Sequence, residues 1–135
     1  MDQNCRILLV TNNPASAWVK AVTQILAQMG EIRLVWAQDT AVACQEGCYD
    51  IALIDTSALA ENAADLVAEL ADCQDNLPII VVTTSPTWQR AREVFLAGAT
   101  DYVRRTFDEE KLRHLCQSAI TRRKAVVRPN DSLGG

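Results

Sequence analysis

The sequence lacks the features that mark membrane and secreted proteins. No apolar stretch approaches about 18 residues, so no transmembrane helix is predicted. The first residues, 1–4, carry no basic region of the kind that begins a signal peptide. These absences together predict a cytoplasmic protein with no membrane contact.

Metal-binding and catalytic motifs are also scarce. The five cysteines form no Cys-x-x-Cys pair, and none has a histidine at metal-ligand spacing, so we expect them to be reduced and mostly buried. The only histidine, His114, falls within a predicted amphipathic helix and is more simply a helix-face residue than a ligand. No glycine-rich loop or nucleophile–base pair is present, which makes a flavodoxin-like enzyme or cofactor carrier the least favoured function.

The chain has 135 residues, the length of one ordinary domain, which we place at residues 1–124 with a flexible tail or linker at 125–135. Its net charge of −4 divides into −8 over residues 1–85 and +4 over residues 86–135. A basic face on the last third could meet an acidic partner. Nucleic acid is not predicted as a partner for this domain alone, because no aromatics interleave the basic residues at regular spacing.

Apolar runs of strand length alternate five times with segments of helical period. The predicted strands cover residues 6–10, 32–37, 51–54, 79–82 and 101–104. This alternation predicts an α/β fold with a five-stranded parallel sheet and five helices on both faces. Because the first, third and fourth runs are the most apolar, the flavodoxin-like strand order 2-1-3-4-5 fits best.

Local signals predict where the helices begin, end and face the core. Asn13-Pro14 and Ser85-Pro86 are cap-then-proline starts for the first and fourth helices, and Gly30 and Gly98 are their predicted ends. The predicted inward stripes are Trp18, Val22, Ile25 and Met29 in the first helix and Trp88, Ala91, Val94 and Phe95 in the fourth.

Several polar residues follow the predicted strands. Asp55 ends the third apolar run, and Thr11, Asn12 and Thr83 follow or end neighbouring runs. Arg105 follows the fifth run. Since open α/β sheets bind ligands at the carboxyl edge of their strands, we expect these side chains to converge there.

Four segments in order carry a family resemblance: residues 5–13, 49–55, 78–83 and 98–107. Over residues 5–124 the chain resembles the receiver domain of two-component response regulators. The resemblance implies that Asp55 is a phosphoacceptor, which in this family is usually phosphorylated by a sensor histidine kinase or a phosphotransfer protein. It implies that Thr83 and Tyr102 form the switch pair, and that the domain is no enzyme beyond accepting its own phosphoryl group.

The chain departs from the family pattern at the metal site. The paired acids that hold Mg²⁺ in the family correspond to Thr11 and Asn12, Ser57 is a further degenerate metal-site position, and the family lysine corresponds to Arg105. One lost carboxylate about 4 Å from a divalent ion removes roughly 8 kcal/mol of Coulomb attraction at an effective dielectric of about 20, before desolvation offsets much of it. Mg²⁺ binding is therefore possible but weakened, and no cofactor is certain.

Two functions remain open at this point. The first is a phosphorelay receiver in which Asp55 accepts a phosphoryl group. The second is a pseudo-receiver, a protein-interaction module that works without phosphate. In that case Asp55 is a strand-end carboxylate paired with Arg105, and the partner face is formed by the fourth helix, fifth strand and fifth helix. The residues proposed for that face are Trp88, Arg90, Arg92 and Arg104.

Overall fold

A computed structural model of the chain describes residues 5–56 and 63–127, with side chains as far as Arg122. Within these residues five strands alternate with five helices. The strands are β1 (Cys5–Val10), β2 (Gly30–Val35), β3 (Ile51–Asp55), β4 (Ile79–Thr83) and β5 (Asp101–Arg104). The helices are α1 (Ala17–Leu26), α2 (Thr40–Glu46), α3 (Ala63–Cys73), α4 (Trp88–Ala97) and α5 (Glu109–Val127), and a short 3₁₀ turn at Ala37–Asp39 precedes α2.

The predicted architecture is confirmed. All four strand pairings are parallel, and the strand order is β2-β1-β3-β4-β5. The central strands β1, β3 and β4 consist mainly of buried aliphatic residues, as expected for strands covered on both faces. Because the strands are parallel, their carboxyl ends meet at one edge, and the switch point of the order lies between β1 and β3.

Alternate residues of the central strands face two separate hydrophobic clusters. Ile7 and Leu9 of β1 belong to the cluster covered by α1 and α5, which we call the α1 cluster. Leu8 and Val10 belong to the cluster covered by α2, α3 and α4, which we call the α3 cluster. The helices therefore cover both faces of the sheet, as the alternation of elements predicts. None of the described helices combines the length and apolar character that crossing a bilayer requires.

Two helices begin later than their proline motifs predict. The side chain of Ser16, not that of Asn13, caps α1 by accepting a hydrogen bond from the Val19 N–H at 3.1 Å. The side chain of Thr87, not that of Ser85, caps α4 in the same way. Both predicted caps were wrong because a hydroxyl nearer the helix fills the role, and the proline remains in the preceding loop.

The two predicted glycine stops have different outcomes. Gly98 ends α4 with a φ of 122°, as predicted. Gly30, the predicted stop of the first helix, instead begins β2, and α1 ends earlier at Leu26. A Cβ atom at Gly30 would lie 2.0 Å from the carbonyl oxygen of Cys5. This glycine therefore permits the close approach of β2 to β1 and is not a helix stop.

The inward face of α4 differs from the predicted stripe. Trp88 is 73% exposed and Phe95 is 46% exposed, and Val94 is the buried residue of this helix. Ala91 and Ala97 are half-buried on the same side as Val94. Small side chains let a helix lie close to the layer beneath it, so the two aromatic side chains fall on the solvent side. The prediction was right for Ala91 and Val94 and wrong for Trp88 and Phe95, because it ranked residues by apolar character and ignored their volume.

The cysteines also depart from expectation. Cys44 of α2 and Cys73, the last residue of α3, are joined by a disulfide bond, with 6.1 Å between their Cα atoms. Of the other three, Cys116 is buried, Cys5 is half-buried and Cys48 is exposed. The expectation of reduced, mostly buried cysteines rested on neighbours along the chain. Such spacing rules cannot register a pair 29 residues apart that the packing of two helices brings together.

Candidate functional site

Four polar side chains lie at the carboxyl edge of the sheet, two of them at strand ends. Asp55 is the last residue of β3 and Thr83 is the last residue of β4. Thr11 directly follows β1, and Arg105 directly follows β5. Asp55 and Thr11 are fully buried, and Thr83 is 8% exposed. Parallel pairing of the strands thus delivers these side chains to one edge.

The carboxylate of Asp55 is engaged by two of these neighbours. The Nη2 atom of Arg105 lies 3.2 Å from Oδ1 and 3.0 Å from Oδ2 of Asp55. The Thr11 hydroxyl donates a hydrogen bond to Oδ2 at 2.9 Å. A buried charge is tolerated when it is paired and hydrogen-bonded, and these contacts meet both conditions. Asp55 is therefore enclosed and compensated by the protein itself.

Arg105 is held in turn by the backbone and by a tryptophan. The backbone N–H of Arg105 donates a hydrogen bond to the backbone carbonyl of Thr83 at 2.9 Å. Its guanidinium carbon lies 4.7 Å from the centre of the Trp18 ring, where the ring quadrupole attracts a cation. The indole N–H of Trp18 donates to the carbonyl of Thr106 at 2.9 Å. The indole thus positions both the guanidinium and the backbone next to it.

Trp18 is the site residue that sequence reasoning missed. The sequence predicts it as a core residue of the first helix, and it is 2% exposed in the structure. Its second role depends on α1 lying beside the segment after β5, on the same face of the sheet. The available signal was the indole N–H, since a buried tryptophan nearly always donates it to an acceptor.

The described residues of this edge do not fit a magnesium ion. Mg²⁺ prefers hard, anionic oxygen ligands in an octahedral arrangement. The carboxamide oxygen of Asn12 accepts a hydrogen bond from the Ala37 N–H at 3.2 Å, and the Thr11 hydroxyl is bonded to Asp55. In the part of the chain that the structure describes, no group of three or more His, Cys, Asp or Glu side chains could hold a metal ion. Ser57, the third predicted metal-site position, lies outside the described residues.

Thr83 and Tyr102 both stabilise the connection between β4 and α4. The Thr83 hydroxyl accepts a hydrogen bond from the Ser85 N–H at 3.2 Å. The Tyr102 hydroxyl accepts one from the Thr87 N–H at 3.2 Å, and its half-buried ring packs against the α3 cluster. Neither of these bonds reaches Asp55. The predicted switch pair therefore shares a loop, the one from which α4 begins.

Known response regulators share part of this sequence, although the chain matches no protein-family model. It is 29% identical over 98 residues to the two-component response regulator PhoP of Pseudomonas aeruginosa. The matched stretch is 73% of this chain and 44% of that protein. It is 33% identical over 84 residues to the transcriptional regulatory protein PhoP of Escherichia coli. The matched stretch is 62% of this chain and 34% of that protein. The chain thus spans less than half the length of these relatives.

The fold of the chain is shared with solved receiver structures. A CheY-like response regulator receiver domain protein from Methanospirillum hungatei superposes with a TM-score of 0.80 at 18% identity, covering 90% of this chain and 98% of that one. This chain is a response regulator receiver domain. The sequence similarity to the two PhoP response regulators supports its assignment to two-component signalling, and the shared fold agrees with it.

A second neighbour sharpens the contrast at the metal site. The receiver domain of a sensor histidine kinase from Pseudomonas aeruginosa superposes on this receiver domain with a TM-score of 0.70 at 23% identity, covering 87% of this chain and 98% of that one. That structure has a magnesium ion coordinated in its active-site cleft. In the described part of this receiver domain, the guanidinium of Arg105 contacts the Asp55 carboxylate.

The face proposed for partners is open in this receiver domain. The residues predicted for it are all exposed, and they are Trp88, Arg90, Arg92 and Arg104. Leu96, which is 76% exposed, adds apolar surface to the same helix. Together with Trp88 and Phe95, this gives the ten-residue helix three large exposed apolar side chains.

Proposed function

We propose that this receiver domain acts as a protein-interaction module of two-component signalling that works without phosphorylation. The observation that supports the proposal is the pairing of Arg105 with both carboxylate oxygens of the fully buried Asp55. A phosphoacceptor needs a carboxylate oxygen free to attack and a cation free to neutralise the incoming phosphoryl group. Arg105 contacts both carboxylate oxygens of Asp55, so the carboxylate is not free to attack. The same contact occupies the guanidinium, so it is not free to neutralise an incoming phosphoryl group. Enzyme activity on other substrates is not proposed.

Phosphorylation of Asp55 would require Arg105 to leave its carboxylate. Removing the partner of a buried charge costs about 3–5 kcal/mol. Each ~1.4 kcal/mol added to a barrier slows a reaction about tenfold. Breaking this pair would therefore slow phosphoryl transfer by about a hundredfold or more compared with a free carboxylate. A domain with such a penalty is suited to signalling by binding alone.

The proposed partner surface consists of α4, β5 and α5. Its exposed apolar residues, Trp88, Phe95 and Leu96, would supply buried area, and Arg92 would supply charge. The partner we propose is a cytoplasmic protein of the same pathway, such as a sensor histidine kinase or a phosphotransfer protein. Neither a membrane nor a nucleic acid is proposed as a partner of this domain.

Chemical phosphorylation of the purified chain tests the proposal. We expect that acetyl phosphate or beryllofluoride with Mg²⁺ leaves both the intact mass and the tryptophan fluorescence unchanged. The matched positive control carries Thr11→Asp, Asn12→Asp and Arg105→Lys, which together return two carboxylates and an ammonium to the site. The proposal fails if the unaltered chain gains the mass of a phosphoryl group and the Asp55→Asn variant does not.

A slow phosphoacceptor is the second candidate function. It is favoured by one observation, the position of Asp55 at the end of β3 beside the strand that ends in Thr83. The flexible side chain of Arg105 could then move from the carboxylate to the new phosphoryl oxygens, which it can bind bidentately. Slow appearance of phosphorylated Asp55 in the same assay would support this candidate over the first.

A further inference from the structure

We propose that Cys44 and Cys73 form a reversible redox site that fastens α2 to α3. Their Cα atoms are 6.1 Å apart, and the two residues are separated by 29 positions in the chain. Disulfides usually span about 4.4–6.8 Å between Cα atoms. The packing of the two helices therefore places the cysteines within the range in which a disulfide forms. The proposal is independent of the function proposed above, because no residue of the Asp55 site takes part.

Solvent reagents have access to the pair. Cys73 is exposed, and it is the last residue of α3. Cys44 is half-buried and packs against the α3 cluster. An exposed thiol can react with an external disulfide, and a half-buried neighbour can then displace the external group. The two cysteines thus differ in the way that an attacking and a resolving thiol should differ.

The fold should not depend on this bond. Each face of the sheet has its own hydrophobic cluster. A chain of 135 residues is long enough to bury such cores without cross-links. Loss of the bond should therefore leave a folded domain. That condition distinguishes a reversible modification from a structural cross-link.

The bond ties a weakly held helix to a firmly held one. Helix α2 has seven residues, buries only Thr40 and Ala43, and receives no side-chain capping bond from Asp39. Helix α3 has eleven residues and buries four of them. Local opening is easiest where few apolar side chains are buried. Reduction should therefore let α2 open while the rest of the domain stays folded.

The chemistry is thiol–disulfide exchange with a low-molecular-weight disulfide such as glutathione disulfide. The Cys73 thiol loses its proton to solvent, and its thiolate attacks one glutathione sulfur. The glutathione S–S bond breaks, and one glutathione thiolate leaves and takes up a proton. The Cys44 thiolate then attacks the Cys73 sulfur and releases the second glutathione. Two cysteine thiols are oxidised, and one glutathione disulfide is reduced to two glutathione molecules.

Titration of the purified chain in glutathione redox buffers tests the proposal. After acid quench and alkylation of the denatured chain, mass spectrometry counts the free thiols, which should fall from all five cysteines to three as the buffer becomes oxidising. Amide hydrogen exchange should show α2 exchanging at least about tenfold faster in the reduced chain than in the oxidised chain. Exchange in β3 and β4 should not change.

Single variants decide between the possible outcomes. Cys44→Ser and Cys73→Ser should each remove the redox dependence of α2 exchange, whereas Cys48→Ser, which removes an exposed unpaired cysteine, should leave it intact. Cys73→Ala serves as a second variant if Cys73→Ser does not fold. A pair that stays reduced at every buffer ratio, that is reduced only after unfolding, or that leaves α2 exchange unchanged would overturn the proposal.

Discussion

Trp18 and Trp88 occupy similar places in two helices and have opposite surroundings. Each lies in the first turn, of α1 and α4 respectively. Trp18 is 2% exposed and Trp88 is 73% exposed. Helix α1 buries five of its ten residues, whereas α4 buries only Val94. An aromatic residue at a helix start is therefore not evidence of burial, and the difference separates a buried, structural side of the molecule from an exposed, open side.

The two sides also differ in what they hold in place. On the structural side, Trp18 braces Arg105 and, through it, the Asp55 carboxylate. On the open side, the start of α4 is held by the hydroxyls of Thr83 and Tyr102. The hydrogen bonds that hold the start of α4 therefore do not involve the Asp55 carboxylate.

Truncation of Trp18 should give the largest effect on stability. Trp18→Ala should lower the free energy of unfolding by about 4 kcal/mol, because it leaves a cavity and removes the support of Arg105. Urea unfolding measures the change. Trp18→Phe is the matched control, since it keeps an aromatic ring but leaves the Thr106 carbonyl without its indole donor. A loss below about 1 kcal/mol for Trp18→Ala would show that Trp18 is no anchor.

Loss of the arginine partner should rank second. Arg105→Gln should cost about 3 kcal/mol of unfolding free energy, because the fully buried Asp55 carboxylate loses its cation. The double variant Asp55→Asn, Arg105→Gln should recover most of this loss, since two amides can hydrogen-bond without a buried charge. A double-mutant cycle from urea unfolding measures the coupling. Strictly additive losses would mean that the pair is not coupled.

The thiol of Cys116 offers a smaller, pH-dependent test of the structural side. Cys116 belongs to the same α1 cluster as Trp18, and burial, with a lesser contribution from nearby Cys5, raises its pKa to about 12 from a usual value of 9.0. Between these two values the unfolded chain releases a proton that the folded chain keeps. Stability contributed by the protonated thiol is therefore complete below the lower pKa and declines as pH rises towards the upper one.

The measurable consequence is a steeper alkaline loss of stability in the unaltered chain. Above pH about 9 its unfolding free energy should fall by up to about 1.4 kcal/mol per pH unit relative to Cys116→Ala. The alanine variant carries a cavity cost of roughly 1 kcal/mol, but that cost does not depend on pH. Urea unfolding at several pH values measures the difference. Parallel pH profiles for the two proteins would contradict the prediction.

The fold and the location of the site were predictable because both follow from local patterns. Continuous apolar runs indicated central strands, and alternation with helices implied parallel pairing. Parallel pairing alone places Asp55, Thr83 and Arg105 at one edge of the sheet. No information about distant contacts was needed for this step.

The details that escaped prediction depend on contacts between distant segments. The Cys44–Cys73 bond exists because α2 and α3 are neighbours, and the support of Arg105 by Trp18 exists because α1 lies beside the segment after β5. The prediction that Trp88 and Phe95 face inward from α4 was wrong for a different reason. The prediction compared aromatic and small residues by apolar character alone. Close packing of α4 on the layer beneath it leaves room only for small side chains.

Truncation of Trp88 should therefore have the smallest effect on stability. Trp88→Ala should change the unfolding free energy by less than about 0.5 kcal/mol, because the side chain is largely exposed. Val94→Ala, on the buried face of the same helix, is the matched control and should cost about 2 kcal/mol. Trp88→Ala should also remove much of the fluorescence that acrylamide quenches, while the emission of buried Trp18 persists. Equal stability losses at Trp88 and Val94 would mean that α4 is covered on both faces and presents no open surface to a partner.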